Sequence, residues 1–201
     1  MHVIKKLRNG LIGMTMLSGL VALAGMPVAH AADPEGKLPA SLTVEGQALE
    51  LNGVGKRNRF FMDVYNAGLY LPAQSHNPEA IIERDEVQAV RLEITSSRVT
   101  RERFIDSIED GVRLSAGDDY DRYSHLIDEL RQEMEEQDIT VAVGDVFGFD
   151  YVPGEGTRIL RNDEVMRTIE GLDFKRVLFG IYLGKEPIQD SLKQEMLGED
   201  T

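Results

Sequence analysis

Arg57 and Arg59 stand two residues apart in the run LNGVGKRNRFFMDVYNAGLYL, from Leu51 to Leu71, which also carries Tyr65, Asn66 and Tyr70. A guanidinium grips a carboxylate through two parallel hydrogen bonds, while phenol and amide groups beside it orient a carbonyl. These residue types therefore suit the binding of a small molecule with an anionic or carbonyl end and an apolar body. Arg57 leads as the ligand contact; Arg59 carries the same charge but also reads as a partner for Asp63 or for an acidic helix. Tyr65 and Tyr70 read either as hydroxyls at a pocket rim or as core aromatics with partnered hydroxyls. Asn66 either orients a carbonyl or occupies a bend. Tyr120 and Tyr123, three residues apart on a helix, offer a further hydroxyl from the helical layer, set in the acidic stretch Asp118-Asp119-Tyr120-Asp121.

Other chemistries lack their residues. There is no cysteine, which excludes disulfides, thiol catalysis and thiolate metal sites. His76 and His125 are widely separated and no histidine-carboxylate cluster surrounds them, so no metal site is expected. Gly144, Gly148, Gly154 and Gly156 punctuate turns without the lysine and hydroxyl of a phosphate loop, and no cofactor is expected. Ser96, Ser97 and Ser107 sit in no nucleophile elbow. Glu133 to Glu136 read as the wet face of a helix rather than as paired catalytic carboxylates. The formal charge of -13 repels phosphate polymers, so nucleic acid is not the partner. No motif names a protein partner.

The elements that must position Arg57 and the tyrosines follow from periodicity. Residues 1–31 read as a signal peptide: Lys5, Lys6 and Arg8, an apolar stretch from Leu11 to Val28, then Ala29-His30-Ala31. Cleavage after Ala31 leaves 170 residues with a charge of -16, no later membrane span and a periplasmic destination. Residues 32–41 form a flexible lead, and residues 42–201 a single domain. Within it, Thr43 to Leu51, Arg59 to Leu71 and Val87 to Thr95 favour strands. Gly53 and Gly55 permit a tight turn between the first two, after which Arg57, Arg59, Phe61, Asp63, Tyr65 and Ala67 share one face. Pro78 to Ile82 reads as a helical turn. Thr100 caps a helix that Gly111 breaks or bends, and the tract at Asp118 opens a second helix through Met134. Ile139 to Val143, Val146 to Tyr151, Thr157 to Leu160 and Val165 to Ile169 read as strands. The stripe Phe174, Val177, Leu178, Ile181 and Tyr182 is a helix ended by Gly184, with Pro187 opening the last one. The order predicts an α+β layer, with helices covering one face of a mostly antiparallel sheet.

Arg57, the strand Val64-Tyr65-Asn66-Ala67-Gly68-Leu69-Tyr70-Leu71, Gly156-Thr157, and the run from Phe174 to Gly184 with Pro187 resemble the chalcone isomerase-like family, especially its secreted bacterial branch. The resemblance spans nearly all of Leu42 to Gly198. It implies that Arg57 matches the arginine with which plant enzymes of the family polarise a carbonyl during closure of a chalcone to a flavanone. Tyr65 falls where those enzymes have a threonine, and Tyr120 or Tyr123 corresponds to their helix tyrosine. Non-catalytic members bind fatty acids through an arginine and a tyrosine. The resemblance thus favours non-catalytic binding of a small amphipathic or aromatic ligand such as a fatty acid. An intramolecular lyase acting on a chalcone-like enone, with Arg57, Tyr120 and Tyr123 as its working groups, is the alternative. A structural or interaction module is the third reading.

Overall fold

A computed structural model describes residues 37–59 and 62–199; the expected signal peptide, most of the lead, and Phe60 and Phe61 lie outside the described residues. Seven strands form one antiparallel sheet in simple chain order: β1 (Ser41–Val44), β2 (Gln47–Arg59), β3 (Met62–Leu71), β4 (Gln88–Ile94), β5 (Val146–Val152), β6 (Gly156–Arg161) and β7 (Glu164–Ile169). The helices are α1 (Pro78–Glu83), α2 (Arg101–Ala116), α3 (Ser124–Glu136), α4 (Leu172–Leu183) and α5 (Asp190–Met196). This is the expected α+β architecture. Alternation sorts the sheet cleanly: Tyr65, Ala67, Leu69, Val90, Leu92, Ile94, Phe147, Phe149 and Ile159 face the helices and form the main core with them. The other face holds a smaller apolar cluster of Leu49, Leu51, Tyr70 and Ala89, and beside it a buried ion pair of Arg91 with Asp150. The sheet curls over this face, because Glu45 at the β1–β2 turn reaches Arg158 of β6 at 2.6 Å.

Several boundaries differ from the expectation, each for a local reason. The first strand is two, since Glu45 and Gly46 take positive φ (49° and 76°) and turn the chain between β1 and β2. Gly53 and Gly55 make no turn. They lie inside β2, and a Cβ at either would strike α5: at Gly53 the Glu195 carbonyl, at Gly55 the Glu195 side chain. Gly111 does not break α2, which runs on to Ala116. It lets Ile181 of α4 approach, and Gly117 ends the helix. The acidic tract Asp118 to Asp121 forms a 3-10 turn over Gly117–Arg122, so α3 begins only at Ser124. Ile139 to Val143 is a loop with Val143 exposed, and Pro187 precedes rather than opens α5. Leu38, assigned to the lead, is buried, and Pro39 accepts a hydrogen bond from the Tyr70 hydroxyl (2.9 Å).

Lys175 on α4 locks the helical layer. Its side chain is fully buried, and its ammonium donates to the carbonyls of Ile81 (2.6 Å), Ile82 (2.8 Å) and Arg84 (3.0 Å) at the end of α1. Those carbonyls have no further turn of helix to bond. Burial pulls the Lys175 pKa down to about 8 against the attraction of Glu86 and Glu83, so it stays charged at neutral pH. Lys175→Met is expected to destabilise the fold by about 2–4 kcal/mol, through carbonyls left buried without a donor. The check is the midpoint of urea unfolding, and an unchanged midpoint would refute this role.

Candidate functional site

β2 reaches the site through an irregularity. Leu51 pairs with Tyr70 but Gly53 pairs with Leu69, so Asn52 is an extra residue that switches the later side chains to the opposite face. The bulged Asn52 is held by its own side chain. Its amide nitrogen donates to the carbonyls of Ser75 and Met196 (3.0 Å each), and its oxygen accepts from the Ser75 backbone N–H (2.8 Å). The switch brings Arg57 opposite Tyr65 on the face that meets the helices. A second irregularity, between Arg57 and Asn58, leaves Arg59 opposite Met62. Arg59 is therefore exposed and turned to the other face from Arg57, which corrects the expectation that the two arginines share one face.

Arg57 is half-buried, and its Nη1 donates to the Asn58 carbonyl (3.0 Å) and to Gln189 Oε1 (2.9 Å). Its guanidinium also hydrogen-bonds the Tyr65 phenol, and among the described residues no carboxylate lies within salt-bridge distance. That lack of a carboxylate is notable in a chain with 35 acidic residues against 22 basic ones. Gln189, just before α5, orients the guanidinium: its oxygen also accepts from the Asn58 N–H (2.9 Å), and its nitrogen donates to the Lys56 carbonyl (2.9 Å) and Ser191 Oγ (2.7 Å). Glu195 adds a bond from the Lys56 N–H (2.8 Å). The phenol of Tyr65, buried in the main core, neighbours both Arg57 and the Tyr182 hydroxyl of α4. Burial raises its pKa to about 12, with the Arg57 charge pulling the other way. Tyr182 is likewise raised well above its ordinary value, chiefly by burial, and its buried hydroxyl meets the Tyr65 phenol. Both phenols are thus proton donors at physiological pH.

The remaining sequence candidates lie elsewhere. Asn66 points to the face away from the helices, where its amide donates to Glu93 (3.3 Å). Tyr120 donates to Glu109 (2.9 Å), and the Arg113 guanidinium lies 3.8 Å over its ring. Tyr123 is buried against Phe174, with ring centroids 6.4 Å apart. The helical tyrosine beside Arg57 is instead Tyr182, which periodicity had placed in an apolar stripe. Gln189 was missed as well. Its position after Pro187 marks a non-helical entry to α5, but no spacing in the sequence ties it to residue 57. A recess of about 550 Å³ opens on the far face of the sheet, between Lys37, Leu42, Arg91 and Asp145, and does not include Arg57. Among the described residues no group of histidine and carboxylate side chains could hold a metal ion, and no helix is long and apolar enough to cross a membrane.

A family profile described as chalcone isomerase-like matches residues 34–198, the whole sheet and helical layer. The chain belongs to the chalcone isomerase-like family. No curated protein sequence matches it. Among solved structures it is similar to a fatty-acid binding protein of Arabidopsis thaliana, with a TM-score of 0.62 over 80% of this chain and 90% of that one. The two are 16% identical, so the likeness is one of fold. In this family member Arg57, Tyr65 and Tyr182 come together where β2, β3 and α4 meet.

The electrostatics give a direct test. Arg57 is the charge that lowers the Tyr65 pKa, so Arg57→Gln should make Tyr65 ionise at higher pH than in the parent protein. Because Tyr65 is raised on folding, its contribution to stability is whole below its ordinary value of 10.0 and is lost as pH climbs through about 12. A carbon-labelled tyrosine resonance assigned to Tyr65 follows the titration; no upward displacement in the variant would show that the guanidinium does not act on the phenol.

Proposed function

We propose that this protein binds a small amphipathic monocarboxylate, such as a fatty acid, without transforming it. The observation that carries the reading is Arg57: a half-buried guanidinium with no carboxylate of the described residues within ion-pair distance, next to a protonated phenol at the margin of an apolar interior. A carboxylate on Arg57 and Tyr65 receives charge-assisted hydrogen bonds, the strong class, where surrounding side chains exclude water. The tail belongs with the apolar side chains that β3 and β4 turn toward the helices, among them Ala67, Leu92 and Ile94. The likeness in fold to a plant fatty-acid binding protein supports the same direction.

Catalysis of chalcone closure is the weaker reading. Arg57 and a phenol would polarise an enone carbonyl, but Tyr65 stands where the working enzymes of the family have a threonine, and Tyr120 and Tyr123 are engaged with Glu109 and Phe174. In the binding reading, residues 1–31 direct a bacterial chain to the periplasm, in keeping with the basic start and small-residue exit of that segment. N-terminal sequencing of the exported protein should begin at Ala32.

The deciding experiment is native mass spectrometry of protein taken from the periplasm, followed by denaturation and identification of what is released. A stoichiometric long-chain acid is expected. Arg57→Ala, folded by circular dichroism, should bind hexadecanoic acid about 10- to 100-fold more weakly, the worth of one or two lost charge-assisted bonds. Protein that neither carries nor takes up such an acid would overturn the binding reading, and Arg57-dependent flavanone formation would replace it with the enzymatic one.

A further inference from the structure

We infer that the end of the molecule formed by the β2–β3 hairpin and the β4–α2 loop is a docking surface for an anionic phospholipid bilayer, the source or destination of the acid bound at Arg57. The inference rests on the binding reading above for that cargo, and adds to it a surface and a partner.

Most arginines of this chain are taken up by its many carboxylates: Arg84, Arg91, Arg113, Arg131, Arg158 and Arg167 each form an ion pair with an aspartate or glutamate. Among the described residues Arg57, Arg98 and Arg103 form none, and all three stand at one end of the sheet. The Arg98 guanidinium meets the Met62 sulfur at the start of β3, and Met62 pairs with Arg59 at the end of β2. Arg103, in the first turn of α2, donates to the Arg98 carbonyl (2.9 Å). The Thr95 N–H donates to the Val64 carbonyl (3.1 Å), which holds the β4–α2 loop against the same hairpin. Arg59, Arg98 and Arg103 are therefore exposed side by side, with half-buried Arg57 two residues further into β2. The acids of these two segments are Asp63 and Glu102, and Glu102 is drawn to Arg101 (3.4 Å). Asp106, one turn beyond Arg103, is held by Arg131 (3.1 Å).

In a chain of formal charge -13 this cluster is a local reversal of sign. Screening confines each field to roughly 8 Å at physiological ionic strength, so a surface approached by this end meets the arginines and not the acidic remainder. Guanidinium groups match phosphate oxygens in pairs, and clustered basic side chains add their attractions to anionic headgroups. An acidic protein would satisfy the same charges. The bilayer is favoured because an amphipathic acid partitions into it, and because Arg57, the residue proposed to hold that acid, lies at this end. Among the described residues no helix is long and apolar enough to cross a membrane, so the contact is peripheral.

The test is co-sedimentation of the mature protein with vesicles of phosphatidylglycerol and phosphatidylcholine in equal parts, and with vesicles of phosphatidylcholine alone. The parent is compared with the double variant Arg98→Gln/Arg103→Gln, and the affinity of each for hexadecanoic acid is read by isothermal titration. The parent is expected to bind the anionic vesicles only and to be released by raised salt. The double variant should bind them about 10- to 30-fold more weakly and keep its affinity for the acid. Equal binding of parent and variant would overturn the inference, because another surface would then be docking. Equal binding of the parent to neutral and anionic vesicles would overturn it too, since the arginines would not be recognising charge. A parent that takes up the acid but ignores both vesicles would sink the bilayer alone and leave the patch to an acidic protein. A parent that docks on anionic vesicles through these arginines yet binds no acid would support the surface and overturn the functional reading.

Discussion

The site depends on one extra residue in a strand. Without the bulge at Asn52, β2 would keep the parity of Leu49 and Leu51, and Gly53, Gly55 and Arg57 would turn toward the smaller cluster on the far face. With it, the glycines meet α5 and the arginine meets Tyr65. The bulge is secured by three hydrogen bonds of the Asn52 side chain, two donated and one accepted, which tie it both to the loop at Ser75 and to the end of α5. The same residue that redirects the strand therefore also fastens the helix that the redirected glycines admit. Gln189, at the head of that helix, then has only one place to reach, the end of β2, where it fixes Arg57.

The polar groups of the interior divide by whether the fold satisfies them. Lys175 meets three carbonyls, Arg91 meets Asp150 with its second nitrogen at 3.1 Å, and Asn52 uses both ends of its amide. Each of these joins elements distant in sequence, and each is complete. Around Arg57 the pairing is polar but lacks a carboxylate among the described residues: the guanidinium meets Gln189, the Asn58 carbonyl and the Tyr65 phenol, and Tyr65 also meets Tyr182. Buried side-chain atoms without a partner also occur at Gln88, Thr95, Thr157, Arg161 and Arg167, so the reason to look for a ligand at Arg57 rather than at the recess on the far face is its charge, which meets no carboxylate among the described residues. That recess is bordered by groups already in use, since Asp145 accepts from Arg161 and Asn162, and Lys37 donates to the Gly144 carbonyl (2.6 Å).

Much of this architecture is legible in the sequence because it is periodic. The alternation of Val90, Leu92 and Ile94, the stripe from Phe174 to Tyr182 and the cap at Thr100 all act over short range, and each is found where periodicity places it. Arg57 and Tyr65 were within reach for the same reason. Glycines were misread, because a glycine that permits a turn and one that permits close approach look alike until the approaching element is known. Gly53 and Gly55 answer to α5, about 140 residues later, and Gly111 answers to Ile181. Parity failed similarly: a bulge leaves no mark in composition, so Arg57 and Arg59 seemed to share a face. Tyr182 was hidden by its ring, which satisfies an apolar stripe while its hydroxyl obeys a separate requirement.

The acidic surface sets a condition on any ligand that suits Arg57. A formal charge of -13 repels small anions at long range, and screening at physiological ionic strength confines that repulsion to roughly 8 Å. A purely polar anion would meet the repulsion and gain only the clamp. A molecule with a long apolar body gains burial of that body as well, about 0.8 kcal/mol for each methylene removed from water, which a surface charge does not oppose. Strong negative charge outside, with a half-buried guanidinium that meets no carboxylate among the described residues, thus suits the proposed amphipathic acid better than a small anion, since the tail adds affinity that the surface charge does not oppose.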